Sequence, residues 1–484
     1  MFLRIPCPSA LHAVHRCRRS LATLIVATLV TFARADRPPN LIIIMTDDQG
    51  YHDVGFNGCA DIPTPHLDSI ARNGVRFTDG YVAYSVCSPS RAALLTGRYG
   101  QRYGYERNPR FQPDNPKSGL DRSETTLADA LQGSGYRTGI IGKWHLGAHP
   151  DFHPLRRGFH EFYGHLGGGH RYQPEELTLD DPLLARTEAE SYRTWLNLDY
   201  TPVRPASYLT DEFSSAAVEF IDRHHAAPFF LFLAYNAPHA PLQATPARLE
   251  RFAHLANERR RTYAAMVSAV DDGVGRVLEE LRKHDLMRDT LIFFLSDNGG
   301  PTADNASSNQ PLRGTKGSLW EGGIRVPFAA QWPGHIPAGR VYSQPVISMD
   351  IFATMAALVS PPVTPGRPLD GVNLLPFLTG DKTGAPHEAL FLRMFDRGAF
   401  AVRSGTYKLV IPAAGAPAEL YDLGRDIAEA RNLAASHPEI VIDLDRRRKE
   451  WVSQLIDPVF EGLETAPRPT APQTPAPRPE APRP

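Results

Sequence analysis

The chain has 484 residues, 42% of them hydrophobic and 22% charged, with 52 Lys and Arg against 53 Asp and Glu. That length buries a large core and accommodates two domains. A formal net charge of -1 excludes a chain built to bind nucleic acid or to coat a polyanion with its whole surface, while a local basic pocket for an anionic substrate stays open.

In chain order, the first predicted element is an export signal. Arg16, Arg18 and Arg19 make a positive start, Leu21 to Phe32 is a short apolar run, and Ala33-Arg34-Ala35 is a small-x-small cleavage site. The run is shorter than the roughly twenty apolar residues that span a bilayer, and no later segment is long enough either. Residues 1–35 are therefore expected to be removed on export to a periplasmic or extracellular location, with no stable membrane anchor.

From Asp36 the pattern is strand, loop, helix, repeated. Leu41–Met45, Thr138–Ile141, Phe229–Ala234 and Leu291–Leu295 are apolar runs of strand length. Between them, Thr64-Pro65 opens a helix that Gly74 closes, Thr126–Gln132 reads as helix, Thr210 is expected to cap a helix with apolar positions Phe213, Ala217, Phe220 and Ile221, and Tyr263–Leu281 is helical. Strands apolar on both faces and separated by helices predict an α/β fold, a mostly parallel, mixed central sheet sandwiched by helices.

At Glu388 the texture changes. Ala389–Met394, Ala399–Val402, Lys408–Ile411 and Glu419–Leu423 alternate like short antiparallel strands, and Pro438–Leu455 closes as a helix. The expected organisation is a catalytic α/β domain over 36–387, a smaller α+β domain over 388–464, and a Pro-rich tail over 465–484 that cannot bury a core and is expected to be disordered.

The four apolar strands end in polar residues: Asp47-Asp48 after the first, Lys143-Trp144-His145 after the second, Asn236 to His239 after the third, and Asp297-Asn298 after the fourth. Open parallel sheets bind ligands beyond the carboxyl ends of their strands, so these residues converge. Asp47, Asp48, Asp297 and Asn298 are oxygen donors suited to Ca²⁺ or Mg²⁺ rather than zinc. Taken singly, each acid could equally be a strand-end cap. Arg91, Lys143, His145, His239 and Lys316 supply the charge and donors that a sulfate or phosphate monoester needs. The Gly-rich loop around Lys316 lacks the spacing of a nucleotide-binding loop.

Cys87-Ser88-Pro89-Ser90-Arg91, running on to Leu95-Thr96-Gly97-Arg98, places a cysteine immediately before a helix start, where the macrodipole and free N–H groups favour an anion or a reactive side chain. After the signal only Cys59 and Cys87 remain, and an exported chain can join them in a disulfide. The string resembles the signature of the formylglycine-dependent (type I) sulfatases of the alkaline phosphatase superfamily. With Gly142-Lys143-Trp144-His145, Pro238-His239-x-Pro241 and Glu321-Gly322-Gly323, the resemblance covers Asn40 to about Leu433. It implies hydrolysis of sulfate monoesters, on a sulfated glycan or another sulfate ester, with an alkaline-phosphatase-like fold. By that resemblance Cys87 would be oxidised to formylglycine by a maturation enzyme, and its hydrated aldehyde would be the nucleophile. Asp47, Asp48, Asp297 and Asn298 would bind Ca²⁺, in preference to Mg²⁺, together with the residue 87 oxygen. Arg91 would hold that group, Lys143 and Lys316 the sulfate oxygens, His239 would protonate the leaving alcohol, and His145 would orient residue 87 and help expel sulfate. His160 departs from the Asp usual after Gly158-Phe159, which concerns substrate-side detail. The rival readings are a phosphonate monoester or phosphodiester hydrolase and, from another class, a non-catalytic glycan-binding protein.

Overall fold

The computed structural model of the chain describes residues 38–359 and 366–463. The expected signal segment and the Pro-rich tail lie outside the described residues. Sixteen strands follow one another among those residues: β1 (Asn40–Thr46), β2 (Val75–Phe77), β3 (Gly80–Tyr81), β4 (Arg137–Lys143), β5 (Glu161–His165), β6 (Leu196–Leu198), β7 (Thr201–Val203), β8 (Phe229–Ala234), β9 (Thr290–Ser296), β10 (Phe328–Gln331), β11 (Arg340–Tyr342), β12 (Val346–Ile347), β13 (Leu390–Met394), β14 (Ala399–Ser404), β15 (Tyr407–Ile411) and β16 (Glu419–Asp422). Ten of them form one sheet in the order β11-β2-β10-β9-β1-β8-β4-β5-β6-β7. Its centre, β9-β1-β8-β4-β5, is parallel throughout, and antiparallel pairings join β10 to β9 and to β2, β6 to β5, and β7 to β6.

Strand β1 shows why the apolar runs become central strands. Every one of its residues is buried, because alternate side chains enter different cores. Leu41, Ile43 and Met45 join Phe230, Phe232, Phe293 and Leu295 on one face, under the helices Cys87–Thr96, Leu127–Gly133 and Asp350–Leu358. Ile42 and Ile44 join Leu231, Leu233, Ile292 and Phe294 on the other, where the helices Leu209–His224 and Glu258–Lys283 bring Phe213, Phe220, Ile221, Met266, Val270 and Val274. The sheet is thus covered on both sides, and the shared direction of β9, β1, β8 and β4 brings their carboxyl ends to one edge.

Of the remaining six strands, β3 and β12 pair in parallel as a two-stranded sheet, and β13-β14-β15-β16 form an antiparallel sheet, against which the helix Pro438–Val452 stacks Trp451 on Phe391. A buried charge network ties this antiparallel sheet to the short helix Glu321–Ile324 that precedes β10: Lys408 on β15 reaches Glu321 Oε1 at 2.7 Å and Glu429 Oε1 at 2.9 Å.

Three local expectations change. Thr210 is not a cap, since its helix begins at Leu209 after Tyr208; its hydroxyl is buried inside the first turn. Cys87 is the first helical residue, with Val86 in the capping position. Cys59 and Cys87 are both free thiols, so the disulfide left open by the sequence is not formed.

Candidate active site

Strand ends position most of the functional side chains, with Cys87 and Arg91 on the helix Cys87–Thr96 and Lys316 on the loop before Glu321. Asp47 and Asp48 follow β1, Lys143 is the last residue of β4, His239 follows β8 by one turn, and Asp297 and Asn298 follow β9. At Gly142 the backbone of β4 takes φ +110°, and a Cβ would lie 2.0 Å from the Ala234 carbonyl oxygen; only glycine lets β4 pass β8 this closely before presenting Lys143. Asp48 and His145 hold left-handed backbone, at φ 66° and 61°, a conformation non-glycine residues tolerate where surrounding contacts over-determine it. For Asp48 those contacts are its N–H to Asp297 Oδ1 at 3.3 Å and its carbonyl accepting from Asn305 Nδ2 at 3.0 Å.

The residues converge on the N-terminus of the Cys87–Thr96 helix. One ligand atom from each of Asp47, Asp48, Cys87 and Asp297 falls in a group with no pair more than 4.8 Å apart, and all four residues are buried. Cys87 Sγ lies 3.4 Å from Asp47 Oδ1 and 3.2 Å from Lys316 Nζ. Lys143 Nζ sits 2.6 Å from Asp47 Oδ2, Lys316 Nζ 2.6 Å from Asp48 Oδ1, and Arg91 Nε 2.9 Å from Asp297 Oδ2. Arg91 also donates to the Lys143 carbonyl at 3.1 Å. The three acids and three bases balance. A dication added to them would leave a net positive charge for an anionic group to offset.

The electrostatics follow from burial without water. Burial alone would raise the Asp47 carboxyl, but Lys143, His239, Arg91 and Lys316 hold it well below the usual range. Burial and the neighbouring Asp47 push Asp297 up to about 6. Burial raises the Cys87 thiol, and burial with Lys143 and Arg91 nearby keeps His145 neutral, well below the ordinary imidazole value. Burial also lowers His239. Its Nδ1 is 2.6 Å from the Ala240 carbonyl oxygen and so carries the proton, which leaves Nε2, 3.6 Å from Asp48 Oδ2, as the nitrogen facing the cluster.

The donor set fits a hard divalent cation. Asn298 donates from Nδ2 to Asp48 Oδ1 at 2.7 Å, while its Oδ1 is buried with no partner among the described residues. An orphaned amide oxygen beside three carboxylates is what such a cation takes up. The only side chains of the group with appreciable exposure are Lys316 at 18% and His239 at 15%, so solvent and substrate enter past these two.

All ten sequence-derived residues lie at this edge. Asn236, which the strand-end pattern includes without a role, is buried with both amide atoms unpartnered among the described residues, and so are both ring nitrogens of His165, which pairs in register with Lys143 and is not singled out by the sequence reading. Tyr192, also not singled out, packs beside His239, with ring centroids 6.4 Å apart. The strand-end rule extends to His165; nothing in the sequence marks Tyr192. His160 lies away from this edge: its ring bonds Thr138, near the amino end of β4.

Residues 39–360 match a family model described as "Sulfatase", and residues 315–454 one described as "N-sulphoglucosamine sulphohydrolase, C-terminal". Arylsulfatase A of Bos taurus is 35% identical over 469 residues, covering 87% of this chain and 88% of its own. N-acetylgalactosamine-6-sulfatase of Homo sapiens is 36% identical over 395 residues, covering 77% of this chain and 70% of its own. The crystal structure of Ps i-CgsB in complex with k-i-k-neocarrahexaose is 37% identical, covers 89% of this chain and 96% of its own, and superposes with a TM-score of 0.82.

Proposed function

The chain belongs to the sulfatase family and hydrolyses sulfate esters, and on that premise we propose that its substrate is a sulfated carbohydrate, its nucleophile an aldehyde hydrate made from Cys87, and its metal Ca²⁺. The observation that carries the reading is the burial of Cys87 in one cluster with three carboxylates and Lys316. The carbohydrate is supported by the relatives named for N-acetylgalactosamine 6-sulfate cleavage and by the carrageenan-type oligosaccharide bound to Ps i-CgsB.

Conversion of Cys87 removes sulfur as hydrogen sulfide and takes one oxygen from water, passing two electrons and two protons to an acceptor such as dioxygen; a separate maturation enzyme carries this out. When present, the hydrated aldehyde supplies one hydroxyl for attack at sulfur and a second whose deprotonation lets sulfate leave, while the calcium ion supplies positive charge beside it.

The chain's own residues do the rest. Asp47, Asp48, Asp297 and Asn298 would hold the ion. Arg91 fixes Asp297 and, through the Lys143 carbonyl, the end of β4. Lys143 and Lys316 present ammonium groups to the sulfuryl oxygens and neutralise charge as it builds in the transition state. His239 keeps Nδ1–H on Ala240 and has to carry a second proton on Nε2, which the nearby Asp47 and Asp48 favour; as imidazolium it gives that Nε2 proton to the leaving oxygen and returns to the neutral ring. His145, buried with neither ring nitrogen partnered among the described residues, is the base placed to take the proton from the second hydroxyl. Export fits the expected signal at residues 1–35, and no described helix is long and apolar enough to cross a membrane.

The test is release of inorganic sulfate from 4-nitrophenyl sulfate and from a panel of defined sulfated saccharides, beside a nitrophenyl phosphodiester. Faster turnover of the sulfates, with at least one saccharide among them, is expected. A preference for the phosphodiester would move the chain to the rival hydrolase class.

A further inference from the structure

The alcohol side of the ester is where this chain's own character has to lie, and one aromatic side chain stands there. The helical turn Glu188–Ser191 is closed at its start by a reciprocal capping box between Thr187 and Glu190, and Glu188 accepts from the Phe111 N–H at 3.1 Å. Tyr192 follows at once, its carbonyl bonded by the Arg171 N–H at 2.9 Å. One side of its ring lies on the backbone of Gly169, where a Cβ would fall 2.4 Å from Cε1 and Cζ. The ring is also inclined by 50° to the imidazole of His239, with centroids 6.4 Å apart. Burial, with Glu188, Asp47 and Cys87 nearby, raises the phenol above its ordinary value, and the half-buried ring stands next to His239, one of the two partly exposed side chains of the cluster. The neighbouring Gly168 has equally little room: a Cβ there would be 2.9 Å from His145 Nε2. The run Gly167-Gly168-Gly169 is therefore the bare floor between His145 and Tyr192, and the aromatic ring is anchored before any ligand arrives.

We propose that Tyr192 is a specificity-determining residue, its ring packing against the apolar face of the pyranose whose ester oxygen meets His239 Nε2. The proposal rests on the sulfatase reading and deepens it: the leaving group is a sugar ring. Any alcohol close enough to take a proton from His239 lies beside Tyr192. A rigid aromatic face contributes contact area at little conformational cost, whereas the sulfate itself is held by the charges of Lys143 and Lys316.

Calorimetric titration separates the two halves of the substrate. The titrations use protein carrying Cys87→Ala, which does not turn the ester over; in that background wild type at residue 192, Tyr192→Phe and Tyr192→Ala are each titrated with sodium sulfate and with galactose 6-sulfate and N-acetylgalactosamine 6-sulfate. Tyr192→Ala is expected to weaken the tighter-binding sugar sulfate about tenfold, leave inorganic sulfate within about twofold, and differ clearly from Tyr192→Phe, which keeps the ring. The proposal is overturned if sugar sulfate and inorganic sulfate weaken together, if neither weakens, or if the Cys87→Ala protein with Tyr192 in place binds no sugar sulfate more tightly than sulfate itself. The sulfatase reading fails separately: matured wild type that leaves 4-nitrophenyl sulfate intact contradicts that reading, whatever Tyr192 does in the titrations.

Discussion

Replacing Lys143 by Met removes an ammonium 2.6 Å from Asp47 Oδ2, from a pair in which neither side chain is exposed. Breaking a buried pair from one side costs about 3–5 kcal/mol, because the surviving charge stays buried without its partner. Asp47→Asn strands the ammonium instead, at a similar cost. The double variant loses both charges, so its penalty falls short of the sum of the single ones, by about 3 kcal/mol in metal-free protein. Calcium alters this cycle in a way a structural ion pair would not. In Lys143→Met the ion replaces the missing positive charge at Asp47, so calcium restores more stability there than it adds to wild type. Binding at a hundredfold excess over Kd contributes about 2.7 kcal/mol. In Asp47→Asn a ligand is gone and the restoration shrinks. The assay is urea unfolding of the four proteins, followed through the five tryptophans, in chelator and in excess calcium. Equal calcium effects on all four, or a Lys143→Met protein as stable as wild type in chelator, would refute the placement of the ion against Asp47. Sulfate release by Lys143→Met is expected to fall about 10²- to 10³-fold, the usual loss of one preorganised donor to developing charge.

Further outcomes follow from the same structure. Cys87→Ala should fold, bind calcium with weakened affinity and lose turnover at least about 10³-fold; retained turnover would dismiss the nucleophile. Lys408→Met leaves Glu321 and Glu429 facing each other without their shared ammonium, and should cost about 3–5 kcal/mol in unfolding experiments, with a rise in KM because Glu321 ends the loop that carries Lys316. Asp271 accepts the N–H groups of His66 and Leu67 at 3.1 and 2.8 Å, and burial lifts its carboxyl to about 6. A carboxyl raised on folding contributes stability below its unfolded value that is lost as pH rises through 6. Wild type should therefore lose up to about 3 kcal/mol relative to Asp271→Asn between pH 4 and 8; a constant difference across that range would contradict the assignment. Chelation should abolish sulfate release, with calcium restoring it more fully than magnesium.

The central strands and the residues beyond them were legible because a parallel strand buried on both faces writes itself as an uninterrupted apolar run, and the polar residues that follow mark its carboxyl end. Strands β2, β6, β7, β10 and β11 have only three or four residues each, too few to show a period, and they are held by pairing with strands distant in sequence. Thr210 carried a cap signal that Tyr208 and Leu209 pre-empted, because the apolar stripe of the helix extends to Leu209 and draws the helix start back. The Glu321–Lys408–Glu429 network joins residues 87 and 21 positions apart along the chain, and nothing local announces that these charges pair inside the protein. Tyr192 belongs to the same class. Its importance comes from packing between Gly169 and His239, not from any motif around it.

The most direct test is the mass of the tryptic peptide Phe77–Arg91 from protein made in its native host. Residue 87 is expected to have lost its sulfur and to carry an aldehyde that a hydrazide reagent captures. A peptide with its cysteine thiol intact, from a preparation that releases sulfate at full rate, would contradict the aldehyde nucleophile.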